Sequence, residues 1–306
     1  MDKLLLVDGN ALMHRAYHAL PPFKTSRGIP TNVLYGFISI LHKAVTDFQP
    51  AYVVVCFDTP AKTFRNELLE SYQAQRPKAE DDFIVQIPFV HEALDAAEIF
   101  HIEKDGYEAD DVIGTIADHF GKNGIQVLIL SGDKDIMQLV NRNTFVVSPQ
   151  IGFAKTKIYD EEEVVKKLGV NPEQIPDYKA LAGDPSDNYI GAKGIGPKTA
   201  SKLLSQFKTV ENLMGSLDTI PPGKIRDILV SNRESIEVAH KLATIVRDVP
   251  LQFHIEDARF GWFGPGLKEF LTKFETYSLI RRIFEHKSQS IPPAKPKEQK
   301  PQLSLF

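Results

Sequence analysis

Four short runs of the chain are almost uninterruptedly apolar: Leu4 to Asp8, Tyr52 to Asp58, Val127 to Asp133 and Thr144 to Ser148. Their Val, Ile and Leu content, without polar alternation, predicts strands of a parallel sheet covered on both faces. Between them apolar positions recur at helical spacing, which predicts helices over Asn32 to Asp47, Asp82 to Glu98, Glu108 to Lys122 and Asp133 to Leu139. Strand alternating with helix gives an α/β domain with a central, mostly parallel sheet flanked by helices. From about Asp160 the pattern turns all-helical, with Gly194-Ile195-Gly196 between a helix ending near Gly183 and one starting near Pro197. The expected organisation is therefore an α/β core over 1–158, a helical region over 159–287 and a tail over 288–306.

Two stretches break the pattern. The spacer from Thr59 to Glu80 carries Lys62, Arg65, Arg76 and Lys78 among polar and aromatic residues. It is long for a plain connection, and such loops in compact domains are usually functional or disordered. The stretch from Ser288 to Phe306 holds Pro292, Pro293, Pro296 and Pro301 with Lys295, Lys297 and Lys300. It has too little apolar area to order itself and is expected to be an extended, flexible tail.

The 306 residues, 42% hydrophobic and 25% charged, suit a soluble globular protein with a large core and a second, smaller domain. A single cysteine, Cys56 in the run from Val53 to Phe57, excludes a disulfide framework and a cysteine-rich zinc site. The opening Met1-Asp2-Lys3-Leu4-Leu5-Leu6-Val7-Asp8 is too soon interrupted by charge for a signal peptide. No stretch approaches the roughly 20 apolar residues of a membrane span. A cytosolic protein is expected. The net charge of −4 argues at first against a nucleic-acid partner, but charge of opposite sign is segregated along the chain. From Ala192 to Val210 there are four lysines, Lys193, Lys198, Lys202 and Lys208, and no acid.

The acids gather elsewhere. Three of the four strand runs end in an aspartate: Asp8, Asp58 and Asp133. In an open parallel sheet the carboxyl ends of the strands share one edge, so these three are expected to converge. Glu108, Asp110 and Asp111 open a helix, with Glu108 and Asp111 on one face. Asp135 follows Asp133 by two, and Asp184 and Asp187 bracket a turn. Taken singly, each has a bland explanation as a helix cap or solvated turn, and the Glu108 group alone would be read as helix-dipole stabilisation. Caps do not explain acids at the ends of three apolar strands. Hard divalent cations, Mg²⁺ or Mn²⁺, would neutralise the set. Two of them about 4 Å apart suit hydrolysis of a phosphodiester.

The turn Gly191-Ala-Lys193-Gly194-Ile-Gly196-Pro-Lys198-Thr199-Ala-Ser-Lys202 opens a helix whose free N–H groups and lysines suit a phosphate backbone, read without regard to sequence. In the spacer, Arg65 and Arg76 are candidates to grip a phosphate, with Lys78 beside them, and Tyr72 to stack on an unpaired base. A generic exposed helix would look the same.

Seven motifs occur together and in order: Leu-Val-Asp8-Gly, Tyr35-Gly-Phe, Phe57-Asp58 with Thr63-Phe64-Arg65, Gly106-Tyr-Glu108-Ala-Asp110-Asp111, Gly132-Asp133-Lys-Asp135, Gly183-Asp184-Pro-Ser-Asp187-Asn188 and Gly194-Ile-Gly196-Pro-Lys-Thr199-Ala. In these the chain resembles the 5′ nuclease domain of bacterial DNA polymerase I and the wider flap endonuclease group, over residues 1–286. The resemblance implies a PIN-like (resolvase-like) α/β core. It also implies that Asp8, Asp58, Glu108, Asp110, Asp111, Asp133, Asp135, Asp184 and Asp187 ligate divalent metals directly or through water. Residues 180–207 would form a helix-three-turn-helix that grips duplex DNA, often with a K⁺ ion. Residues 60–80 would be a helical arch that passes a 5′ single strand. Family enzymes remove 5′ flaps and RNA primers and leave a 5′ phosphate. Two departures stand out: Gln73 where the family often has a lysine after the arch tyrosine, and Tyr189-Ile190 where a proline is usual.

The closing Gln302-Leu303-Ser-Leu305-Phe306 resembles the peptide by which bacterial replication proteins dock on the β sliding clamp, here on a tether that raises local concentration. The expectation is a monomeric nuclease acting on flaps, nicks and primer ends, on DNA or RNA–DNA hybrids. A nuclease acting mainly on RNA, and a catalytically silent DNA-structure binder tethered to the clamp, are the alternatives. The Gln73 departure leaves the silent binder open; the intact acid set counts against it.

Overall fold

In a computed structural model, which describes residues 2–150 and 156–285, six strands form one sheet in the order β3-β2-β1-β4-β5-β6. In chain order the elements of its first half are β1 (Lys3–Asp8), α1 (Gly9–Ala19), α2 (Asn32–Phe48), β2 (Tyr52–Phe57), α3 (Phe64–Leu68), α4 (Asp81–Ile84), α5 (Ile87–Ala96), β3 (His101–Glu103), α6 (Ala109–Lys122), β4 (Gln126–Leu130), β5 (Thr144–Pro149) and β6 (Thr156–Tyr159). The first five strands are parallel and β6 runs antiparallel to β5.

Side chains on a strand alternate between faces, and both faces here are buried. Leu4, Leu6, Val54, Val127 and Ile129 pack on one side with Val112, Ile116 and Phe120 of α6. Leu5, Val7, Val53, Val55 and Leu130 pack on the other against α1, α2 and α5. This double cover is why the strands read as continuous apolar runs.

The second half is helical: α7 (Glu161–Leu168), α8 (Ile175–Ala182), α9 (Pro197–Phe207), α10 (Val210–Gly215), α11 (Lys224–Ser231), α12 (Arg233–Ala243), α13 (Gly266–Lys273) and α14 (Tyr277–Ile280). It shares its core with the sheet, since Ala180, Leu181, Ile236 and Leu242 belong to the same apolar cluster as Leu4 and Val127. The chain leaving α12 is fixed to α6. Val246 N–H donates to Asp111 at 2.9 Å and Val249 N–H to Thr115 Oγ1 at 3.1 Å. A Cβ at Gly114 would meet Ile245 at 2.5 Å, so only glycine admits so close an approach.

Four elements differ from the pattern reading. The helix expected over Asp82 to Glu98 is two, α4 and α5, with Pro88 in the first turn of the second. Between them the fully buried Gln86 side chain donates to Asp82 O and Asn32 Oδ1, at 2.6 and 3.0 Å, and accepts from Val33 N–H at 2.8 Å. The helix expected at Asp133 to Leu139 is a 3₁₀ segment over Asp135–Leu139. Strands β3 and β6 were not anticipated. No helix among the described residues is long and apolar enough to cross a membrane. The stretch 288–306, with the clamp-like residues Gln302, Leu303, Leu305 and Phe306, lies outside the described residues.

Candidate active site

The carboxyl edge of the sheet gathers the acids. Asp8 closes β1 and caps α1: its Oδ1 accepts Ala11 N–H at 2.9 Å and its Oδ2 accepts Ser131 Oγ–H at 2.7 Å. Ser131, fully buried just past β4, also accepts Asp133 N–H at 3.0 Å, so one hydroxyl ties two carboxylate-bearing residues together. Asp58, directly after β2, accepts Ala109 N–H at 2.7 Å, one of the donors that the start of α6 leaves without a helical partner. Asn10 accepts Asp58 N–H at 3.1 Å. Asp133 Oδ1 accepts Asp135 N–H at 2.8 Å.

A second group adjoins the first. Carboxylate oxygens of Asp135, Asp184 and Asp187 lie within 4.8 Å of one another. One narrow cleft is lined by Glu108, Asp110, Asp133, Asp135 and Asp187, so both groups open on the same space.

Their electrostatics differ. Burial, only partly offset by the bonds from Ser131 and Ala11, pushes the Asp8 carboxyl up to about 7. Burial, with Asp133 and Asp8 nearby, holds Asp110 well above the usual range. Glu108 is pushed up to about 7 and Asp135 to about 6, in each case because burial outweighs the neighbouring cation. Asp184 is the exception: burial would raise it, but Lys179 and the bonds from Ser186 hold it below its usual value. Lys179, on α8, forms ion pairs with both Asp135 and Asp184.

Three expected roles are corrected. Arg65 is 2% exposed and grips no phosphate. Its guanidinium makes two bonds to Asp111, at 2.6 and 2.8 Å, and donates to Leu242 O and Thr244 O, both at 3.0 Å. Asp111 is fully buried with both oxygens taken by Arg65, Val246 N–H and Glu108 N–H, so it holds the helical region to α6 and offers nothing to a metal. Glu108 and Asp111 form a capping box at the start of α6, the plain role that acids opening a helix take. Tyr72 is 5% exposed, its hydroxyl 3.5 Å from Glu108 and 3.4 Å from Asp187 and its ring beside Tyr189; it does not present a face to a base.

Nor is 60–80 a continuous helical arch here. After α3 it turns back onto the cleft, where Gln73 N–H donates to Asp187 O at 3.0 Å and Asn188 Nδ2–H to Ser71 O at 2.7 Å. Arg76 pairs with Asp187 at 2.7 Å and Gln73 Nε2 lies 3.5 Å from Glu108. Lys78 is exposed.

Residues 183–196 turn between α8 and α9 as the pattern suggested. A Cβ at Gly191 would sit 2.3 Å from Ala180 O, and Gly194 takes φ 107°, so this tight turn needs both glycines. Ile195 is buried, while Lys193, Gly194, Gly196, Lys198 and Lys202 are exposed and Thr199 is half-buried. Sequence reasoning missed Ser131, Asn10 and Lys179. The first two are polar residues just past a strand, each two positions from a singled-out aspartate; Lys179 precedes Asp184 by five residues and carried no local signal.

The 5′-3′ exonuclease N-terminal resolvase-like domain model matches residues 3–169, and the 5′-3′ exonuclease C-terminal SAM fold model matches 170–263. A 5′-3′ exonuclease of Aquifex aeolicus is 39% identical over 295 residues, covering 94% of this chain and 99% of that one. A DNA polymerase I of Caldicellulosiruptor bescii is 42% identical over 284 residues, 92% of this chain but 33% of its own length. A bacteriophage T5 flap endonuclease, solved in complex with DNA and metal ions, superposes with a TM-score of 0.65 over 92% of this chain and 98% of that one at 20% identity.

Proposed function

Because the chain belongs to the 5′-3′ exonuclease family, we propose that it is a divalent-metal-dependent, structure-selective nuclease. It would hydrolyse phosphodiester bonds at 5′ flaps, nicks and RNA primer ends and leave a 5′ phosphate. It spans about a third of its DNA polymerase I relative, so this reading is confined to the nuclease step. The observation that carries it is the single cleft shared by Glu108, Asp110, Asp133, Asp135 and Asp187.

The donor set fits hard cations. It consists of carboxylate oxygens, several of which resist ionising together without a counter-charge. Asp8, Asp110 and Asp133, with Asp58 and Glu108 beside them, would hold one Mg²⁺ or Mn²⁺, and Asp135, Asp184 and Asp187 a second. Such ions supply charge that acidifies water and offsets charge growing on the leaving oxygen. The chain's own work is positional. Ser131 and Ala109 N–H orient Asp8 and Asp58. Lys193, Lys198 and Lys202, with the exposed backbone of Gly194 and Gly196 and Thr199 beside them, would grip duplex phosphates, leaving selectivity to substrate shape. The turn carrying Gln73 and Arg76 lies over Glu108 and Asp187 and would have to lift for a strand to enter.

The test is a labelled 5′-flap duplex incubated with Mg²⁺, with EDTA, and with Asp58→Ala or Asp133→Ala. Cleavage near the junction is expected for the wild type with metal, and at least about 100-fold less for either variant. Flap bound but uncut in both Mg²⁺ and Mn²⁺ would mean a silent binder, and preferential cutting of RNA a ribonuclease.

A further inference from the structure

The two acidic groups of the cleft are neutralised in different ways. Among the described residues Asp8 and Asp58 accept hydrogen bonds only from neutral donors, Ser131, Ala11 and Ala109. Among the described residues no salt bridge reaches Asp8, Asp58, Asp110 or Asp133. Each acid of the second group is paired with one of two cations of the chain itself. The Lys179 ammonium, on a side chain only 13% exposed, bridges Asp135 and Asp184, while Arg76 takes Asp187. These three acids are the ones whose oxygens converge within 4.8 Å. An ammonium has the charge and reach to stand where a cation would, on a flexible four-carbon stem that lets it leave.

We infer that the Lys179 ammonium is the resting occupant of the second cation position, so that a divalent ion enters there only by displacing it. The inference rests on the two-ion reading above. Its consequence is a built-in difference in affinity. The group around Asp8 and Asp110 has no cation of the chain to displace and takes its ion tightly. The group around Asp184 takes its ion weakly, because a tethered competitor is always present at high local concentration. The second ion would then be retained chiefly when substrate phosphates add ligands and negative charge.

The test reads binding rather than turnover. Mn²⁺ is titrated into wild type, Lys179→Met and Lys179→Gln by calorimetry at about pH 8.5, where protons no longer replace the lost ammonium on the carboxylates. The wild type is expected to show a tight and a weak event. Both variants should tighten the weak event by at least about tenfold and leave the tight one nearly unchanged, since removing a nearby cation favours a divalent ion at that site alone. In the wild type, covalent labelling of lysines read by mass spectrometry adds a measurement that needs no variant. Lys179 should be protected without metal and become reactive at the Mg²⁺ concentrations that fill the weaker site. A weak event that is unmoved or weakened in the variants, or a Lys179 still protected with both ions bound, overturns the inference alone. Absence of any bound Mn²⁺ in all three proteins overturns the two-ion reading and the inference with it.

Discussion

Arg65 shows how a single side chain changes meaning once its surroundings are known. As a cation in a polar spacer it suggested a phosphate grip; folded, it is the buried partner of Asp111. Removing one member of such a pair strands the other charge in a low dielectric. Arg65→Met should therefore cost about 3–5 kcal/mol of stability, read as a lower urea midpoint. An unchanged midpoint with weakened flap binding would return Arg65 to the DNA. The raised carboxyls give a second expectation at this scale. Asp8 at about 7, Glu108 at about 7 and Asp135 at about 6 bind protons more tightly folded than unfolded. In metal-free protein their contribution to stability thus falls as pH rises from about 4 to about 7. A bound divalent ion removes that penalty, so Mg²⁺ should raise Tm more at about pH 8 than at about pH 5. A Mg²⁺ effect on Tm that ignores pH would show that these acids do not hold the ion.

The elements were legible in proportion to their length and to how far local pattern decides them. Helix α2 and the strands β1, β2, β4 and β5 follow directly from apolar spacing. Strands β3 and β6, of three and four residues, exist because a neighbouring strand supplies their partners, which no local pattern reports. The break before α5 depends on Gln86 reaching α2, a contact between residues 53 positions apart. The turn after α3 depends likewise on Asp187 and Asn188, more than a hundred residues away. The turn before α9 was readable because its glycines are forced by backbone geometry and its lysines face water. Lys198→Ala and Lys202→Ala should each weaken duplex binding to a similar degree on unrelated sequences. Each should also reduce the slope of log affinity against log salt by about one. Losses confined to one sequence would contradict a backbone grip.

At the scale of the molecule, the convergence of Asp8, Asp58 and Asp133 was foreseeable from topology, since parallel strands deliver their carboxyl ends to one edge. The division into Asp8, Asp58, Asp110 and Asp133, which no salt bridge reaches among the described residues, and the cation-paired Asp135, Asp184 and Asp187 was not, because Lys179 reaches the cleft only through the packing of α8. For assembly, the sequence of residues 302–306 carries the proposal that the chain docks on a sliding clamp, with Gln302 as the amide and Leu303, Leu305 and Phe306 as the apolar anchors. Deleting residues 302–306 should abolish capture by an immobilised β sliding clamp and leave flap cleavage intact. Undiminished capture would assign the contact elsewhere. The central claim, that one cleft of this chain holds two divalent ions among acids distant in sequence, is tested most directly by anomalous diffraction from crystals soaked in Mn²⁺. Two Mn²⁺ peaks are expected in the cleft, one against Asp8, Asp110 and Asp133 and one against Asp135, Asp184 and Asp187. A cleft with no peak at saturating Mn²⁺, or peaks only on other surfaces, would contradict it.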